Sequence, residues 1–168
     1  PDSKKIATFQ QDQRKVSDMY LVSVVVGPPQ LRAWKYPLPG DSVVTMIERV
    51  VIDVPSATVT RLKMAPDQHR STLGDNLSMN DMKFSPNGSE LAFASVSRDH
   101  KQVWVRLANT TTGAVKEVMQ ETSPTQFESR SGWRVWWATR EILWYSQRED
   151  WARLYLYNLD NGQLKRTA

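Results

Sequence analysis

An internal repeat constrains this chain more than any other feature. The stretch from Trp136 to Ala168 reads as an apolar strand, a short polar loop, an alternating strand, a tight turn and a last strand. Ile142 to Tyr145 is a β-rich run. Leu154, Leu156 and Leu159 fall on one side, with Tyr155 and Tyr157 on the other, close to the period of two expected of a strand. Asp160-Asn161-Gly162 signals a hairpin, since Asn-Gly tolerates the positive φ of a tight turn. Gln163 to Thr167 returns as a polar edge strand. The same plan runs earlier: a turn at Phe84-Ser85-Pro86-Asn87-Gly88, a strand from Glu90 to Val96, a loop at Ser97 to His100, a strand from Gln102 to Leu107, a turn at Thr112-Gly113, and a closing strand from Val115 to Met119. A third copy opens the chain. Pro1 to Ala7 lines up without gaps on Pro86 to Ala92, and its second half resumes at Arg49 to Val54, turns at Pro55-Ser56-Ala57 and closes with Thr58 to Leu62.

Repeats of roughly 40–50 residues with four strands each are the signature of a β-propeller. The expected fold is therefore all-β. It is a partial β-propeller of about three four-stranded antiparallel blade units. Unit one spans 1–63, with an arm inserted at about 13–41; unit two spans 77–120 and unit three 133–168. A closed ring needs about four to eight blades. Three units, the first without its opening strand, read as a fragment of a longer protein. Unpaired strand edges and bare blade faces lead us to expect self-association.

The arm departs from the repeat. It carries one β-prone run, Tyr20 to Val26, then a Gly27-Pro28-Pro29 break, then a second run from Leu31 to Tyr36, ending in Pro37-Leu38-Pro39-Gly40. Neither proline can donate to a ladder, so both belong in the turn or at an edge. Val22, Val24 and Val26 alternate with Leu21, Ser23 and Val25, so both faces of the strand are largely apolar. An isolated two-stranded ribbon is marginal in water, and both faces need cover. Trp34 and Tyr36 are residue types enriched in interface cores. The candidate interface residues are Val22, Val24, Val26, Trp34, Tyr36 and Pro37. Helical periodicity is weak throughout, and Gln10 to Met19 is its best candidate. Met64 to Met79 and Gln120 to Gly132 read as connectors, with inner strands expected at Leu77 to Phe84 and Arg134 to Trp137. Val103 to Leu107 lines up with Arg153 to Tyr157, which marks Trp104 and Leu107 as structural.

The net charge of +4 is modest, and Lys and Arg are scattered, so no nucleic-acid surface is expected. The chain has no cysteine, which excludes disulfides, zinc ribbons and thiol catalysis within it. No apolar run reaches the roughly 18 residues of a membrane helix. His69 and His100 lie in polar loops, and no nucleophile elbow, phosphate loop, dinucleotide fingerprint or calcium loop occurs. The reading calls for no catalytic residue, no cofactor and no metal. Glu48/Asp53 and Glu149/Asp150 read as surface charge. Trp133, Trp136, Trp137, Trp144 and Trp151 read as inter-blade packing, with an aromatic platform for a peptide or sugar as the alternative.

Three motifs in order carry a resemblance: Pro1-Asp2-x-Lys-Lys-Ile6-Ala7, then Tyr36-Pro37-x-x-Gly40, then Ser146-x-Arg148-Glu149-x-Trp151-x-x-Leu154-Tyr155-Leu156-Tyr157. They resemble the N-terminal propeller of dipeptidyl peptidase IV-like serine peptidases, in the prolyl oligopeptidase superfamily. There a Ser-Pro-Asp-Gly turn precedes an Ile-Ala strand, a Tyr-Pro-x-x-Gly segment follows an extended arm, and a Ser-Glu-Arg-Asp-Gly-like loop precedes a Leu-Tyr-Leu-Tyr strand. The chain departs at Asp41-Ser42-Val43, where the family has Asn-Pro, at Gln147 in place of Glu, and at Trp151 in place of Gly. The resemblance implies a non-catalytic segment of an exopeptidase that removes dipeptides from peptide N-termini. In that family the catalytic Ser, Asp and His lie in a C-terminal α/β-hydrolase domain, and the substrate-anchoring Glu pair lies upstream of the Ser-Pro-Asp turn. None maps onto this chain. The implied partners are that hydrolase domain, the peptide substrate and a second copy met through the arm. The implied compartment is periplasmic or secreted. The alternative is a TolB-like propeller acting as a protein-binding scaffold, which shares the turn but lacks the arm.

Overall fold

The computed structural model describes residues 4–68, 81–127 and 132–167. His69 and the start of the strand expected from Leu77 lie outside them, as do Pro1 and Asp2. Within the described residues there are fourteen strands and no α-helix. Twelve of the strands build three antiparallel four-stranded sheets, and two build a separate ribbon.

Sheet one contains β1 (Lys5–Asp12), β4 (Met46–Asp53), β5 (Thr58–Arg61) and the short β6 (Asp67–Gln68). Its order is β1-β4-β5, with β6 pairing the start of β4 at Met46 and Ile47. β5 and β6 thus flank the same strand as two pieces of an interrupted outer strand. Part of the expected connector is therefore sheet. Sheet two runs β7 (Met82–Phe84), β8 (Glu90–Val96), β9 (Gln102–Asn109), β10 (Val115–Thr122). Sheet three runs β11 (Trp133–Trp136), β12 (Glu141–Glu149), β13 (Trp151–Asn158), β14 (Leu164–Thr167). The ribbon is β2 (Asp18–Ser23) with β3 (Gln30–Lys35). The three sheets are blades of a partial propeller. Gln10 to Met19, the best candidate for a helix in a sequence with weak helical periodicity, forms none. Gln10 to Asp12 finish β1 by pairing with Met46 to Glu48, because a ladder partner outweighs the weak local preference of a short polar segment.

Burial follows from stacking. β8 is buried on both faces because blades lie on either side, so Leu91 to Val96 reads as an unbroken apolar run save for Ser95. Leu91, Phe93 and Ala108 pack on Val51 and Leu62 of blade one. Ala92, Ala94, Val105 and Leu107 face Ile142, Trp144, Tyr155 and Tyr157 of blade three. Trp144 is fully buried and stacks on Phe127 at 5.8 Å. Of the other tryptophans, Trp133 is buried, whereas Trp136 and Trp151 are exposed, Trp151 at 77%.

Turn chemistry sets the correspondence between blades. Asn109 Oδ1 accepts from the amides of Thr111 and Thr112, and Asn158 Oδ1 from those of Asp160 and Asn161. Each side chain opens a four-residue loop that ends on a left-handed glycine, Gly113 or Gly162. The loop is longer than an Asn-Gly hairpin, and Asn161 keeps a negative φ. Asn109 therefore corresponds to Asn158, which aligns Leu107 with Leu156 and Trp104 with Arg153, one residue away from the alignment read in the sequence. A one-residue slip exchanges faces. Trp104 lies opposite the buried Val103 and Val105 and is half-buried beneath Arg106, 5.1 Å from its ring. Leu107 is core, as expected. Leu159, expected beside Leu154 and Leu156, is instead buried with Tyr155 and Tyr157.

Candidate interaction site

The arm leaves blade one between β1 and β4. At its root Asp18 and Lys35 pair at 3.2 Å, and the Tyr36 amide donates to Ser17 O at 3.0 Å. Below the root the chain turns through Val16, which is buried and donates to Gln13 O at 3.0 Å. Arg14 grips Asp12 with its side chain and its amide and holds that carboxyl down to about 2. On the return, the Leu38 amide donates to Asp41 Oδ2 at 2.8 Å, and Arg98 of blade two donates to Asp41 O at 2.6 Å. The arm is thus seated on blade one and tied to blade two. A cavity of about 540 Å³ lies under the root, between Gln11, Tyr36, Leu38, Gln68 and Arg98.

Register separates the faces of the ribbon. Tyr20 pairs with Ala33 and Val22 with Leu31, giving one apolar face above the Asp18–Lys35 pair. Met19 pairs with Trp34, Leu21 with Arg32 and Ser23 with Gln30, so the other face is apolar at its root and polar outward. Both faces were expected to be apolar; only one is. The strand ends at Ser23, so Val24 and Val26 sit in the tip loop, exposed. Of the six candidate residues, Val22 and Trp34 lie on opposite faces. Tyr36 and Pro37 belong to the seat, where Tyr36 stays exposed and both line the cavity. Tyr20, exposed at 63%, and Leu31 complete the apolar face, and sequence reasoning left them out. Finding them requires the register, which depends on where the loop closes.

Sequence reasoning also missed two buried polar clasps between blades. Between blades one and two, Asp67 accepts from Ser95 Oγ at 2.7 Å and from Arg49 Nε at 3.2 Å, with Arg106 at 3.5 Å. Arg49 also donates to Asp81 at 3.0 Å and to Ala94 O at 3.1 Å, and lies 4.8 Å above the Phe93 ring. Burial raises the Asp81 carboxyl, and Arg49 opposes the rise. Between blades two and three, Glu121 accepts from Ser146 Oγ at 2.5 Å and Trp144 Nε1 at 2.8 Å. Arg148 lies 3.5 Å from Glu121 and 3.9 Å over the Tyr155 ring. Ser95 and Ser146 are equivalent positions, each the sixth residue of its strand. The recurring serine after an apolar run was the available signal. His100 takes φ 56° in the loop between β8 and β9, and Glu149 pairs with Arg153 at 2.9 Å. Among the described residues no group of acids and histidines is placed to hold a metal.

Three stacked antiparallel blades with an arm between β1 and β4 of the first define a propeller segment of a particular kind. The family model of the dipeptidyl peptidase IV (DPP IV) N-terminal region matches residues 1–168, and the chain belongs to that family. Among solved structures it resembles Porphyromonas gingivalis dipeptidyl peptidase 4, with a TM-score of 0.76 and 17% identity over 99% of this chain and 23% of that one. It also resembles a Bacteroides ovatus chain assigned as a dipeptidyl aminopeptidase IV, with a TM-score of 0.75 and 18% identity over 96% of this chain and 22% of that one. At this identity the likeness is one of fold, and the chain spans under a quarter of either relative. TolB of Acinetobacter baumannii reaches a TM-score of only 0.45, with 17% identity over 72% of this chain and 29% of that one, and carries no argument. No match was found among curated proteins.

Proposed function

We propose that this chain is the non-catalytic propeller segment of a serine exopeptidase of the dipeptidyl peptidase IV type. Its parent removes dipeptides from peptide N-termini in a hydrolase domain, the propeller limits access to that domain, and the arm meets a second copy. The observation that carries the reading is the family match over the whole chain, together with an arm whose Tyr20, Val22, Leu31 and Ala33 face is bare. Tyr and apolar side chains on an exposed ribbon suit an interface core.

Two measurements test it. The isolated chain is expected to leave an Xaa-Pro chromogenic dipeptide uncleaved, while the full-length parent cleaves it and loses activity to a serine-directed inhibitor. A parent without such activity refutes the enzymatic half. For the arm, Ser17 is joined to Tyr36 through a short Gly/Ser linker in the parent, which preserves the seat on Arg98. Sedimentation should then show dissociation at concentrations where the intact parent is dimeric. An unchanged dimer removes the arm from the interface.

A further inference from the structure

Blades two and three are seated on their neighbours by the same two devices, one at each end of the seam. At the turn end, a left-handed glycine sits against the outer strand of the preceding blade. A Cβ on Gly113 would come within 3 Å of Arg61 O, and one on Gly162 within 3 Å of Val118 O. Lys63 of blade one also donates its amide to Gly113 O at 2.7 Å. At the arm end, a serine reaches a carboxylate carried on the preceding outer strand, Ser95 to Asp67 and Ser146 to Glu121.

Blade one has neither device. Lys5, Glu90 and Glu141 begin equivalent strands, since they pair with Asp53, Asn109 and Asn158. Counting along those strands puts Gln10 where Ser95 and Ser146 stand. Gln10 is exposed, and its amide oxygen accepts from Arg61 of its own blade at 3.1 Å. The loop after Asp53 has the same length as those after Asn109 and Asn158, and its last residue is Ala57, at φ 53°. A methyl group therefore occupies the space that a neighbouring carbonyl fills at the other two seams. The same face is nonetheless apolar. Ile6, Ile52 and Val59 lie in one cross-strand row, with Ile6 52% and Val59 50% exposed. Val54 is also exposed, whereas its counterparts Thr110 and Leu159, fixed by the same backbone bond to the preceding strand, are buried.

We propose that this face receives a preceding blade of the parent propeller without the two locks, making it the seam at which the ring opens first. The inference rests on the reading of the chain as part of a longer propeller. The apolar row supplies a reason for a sheet to cover the face. Ala57 and Gln10 remove the close approach and the buried polar bond that hold the other seams shut. Such a seam parts at lower cost because few buried groups lose partners when it does.

Hydrogen exchange in the full-length parent tests this. Segments 6–10, 91–95 and 142–146 occupy equivalent strands, and the first should exchange at least about tenfold faster than the other two. Gly113→Ala should bring the exchange of 91–95 toward that of 6–10, because it puts a methyl into the first locked seam. Equal protection of all three segments in the parent overturns the proposal and leaves the propeller reading intact. If 6–10 exchanges in the parent as fast as in the isolated chain, no sheet covers blade one, and the proposal and the longer propeller fall together.

Discussion

Between blades one and two the fully buried side chains include Arg49 and Asp81; between blades two and three they include Trp144 and Tyr155. The backbone problem is the same at both seams, a twisted sheet laid on a twisted sheet. Blade two meets blade one through a small apolar cluster, and a guanidinium with two carboxylates fills the remaining space. It meets blade three through a large cluster rich in aromatic rings, with one carboxylate at its end. The difference teaches that blade stacking prescribes volume and leaves chemistry open. Both solutions leave buried polar atoms without a partner, Arg49 Nη1 and Asp81 Oδ1 at the first seam and Trp133 Nε1 and Tyr155 Oη at the second, so each seam bears part of a desolvation cost.

Breaking the aromatic seam should have the largest effect. Trp144→Ala removes the ring from Phe127 and takes a donor from Glu121, and should cost about 3–5 kcal/mol in urea unfolding. A loss below about 1 kcal/mol would mean that the seam collapses around the cavity. Next comes the charged seam. Asp81→Ala leaves Arg49 buried with one acid fewer and should cost about 3 kcal/mol. The double change Arg49→Met with Asp81→Leu should cost less than Asp81→Ala alone, since it removes both charges together and leaves Asp67 its bonds from Ser95 and Arg106. If the double change is as damaging as the single one, the charges do more than fill space. Trp104, on the face of β9 turned toward blade one and paired with Ser95, sharpens the contrast with Trp144: Trp104→Ala should cost only about 1 kcal/mol, its half-buried ring being covered by Arg106. A loss near that of Trp144 would place it in the core.

The smallest effect lies at the rim of the second seam. Arg140 of blade three bridges Glu90 of blade two at 2.5 Å and Asp160 of its own blade at 2.6 Å. Its hydrogen bonds hold the Asp160 carboxyl below the ordinary value of 3.8. A lowered folded-state value means stability that is present above the unfolded value and lost as pH falls. Asp160→Asn should therefore cost under about 1 kcal/mol at neutral pH, discounted because the group is half-exposed. The difference from the native chain should vanish as pH falls below the unfolded carboxylate range. A gap that persists in acid would make the role of Asp160 steric.

Much of this was legible in the chain itself. The recurrence of turn, apolar run, polar loop and alternating run specifies blades, because period-two patterning and turn residues act locally. The existence of the arm was legible for the same reason, as an insertion that interrupts the recurrence at Gln10 and ends near Asp41. Register was not. Whether Val22 shares a face with Leu31 or with Trp34 depends on how many residues the tip loop takes, and a shift of one reverses every side chain. The same one-residue ambiguity misplaced Trp104 against Leu154. The clasps were illegible for a different reason: Asp67 and Ser95, or Glu121 and Ser146, lie some 25 to 28 residues apart, on different blades, and meet only once the sheets stack. Composition and periodicity decide which segments become strands and which of their residues are apolar. Only the stacked structure decides which polar groups are buried together, because that depends on the long-range approach of surfaces that no local pattern encodes.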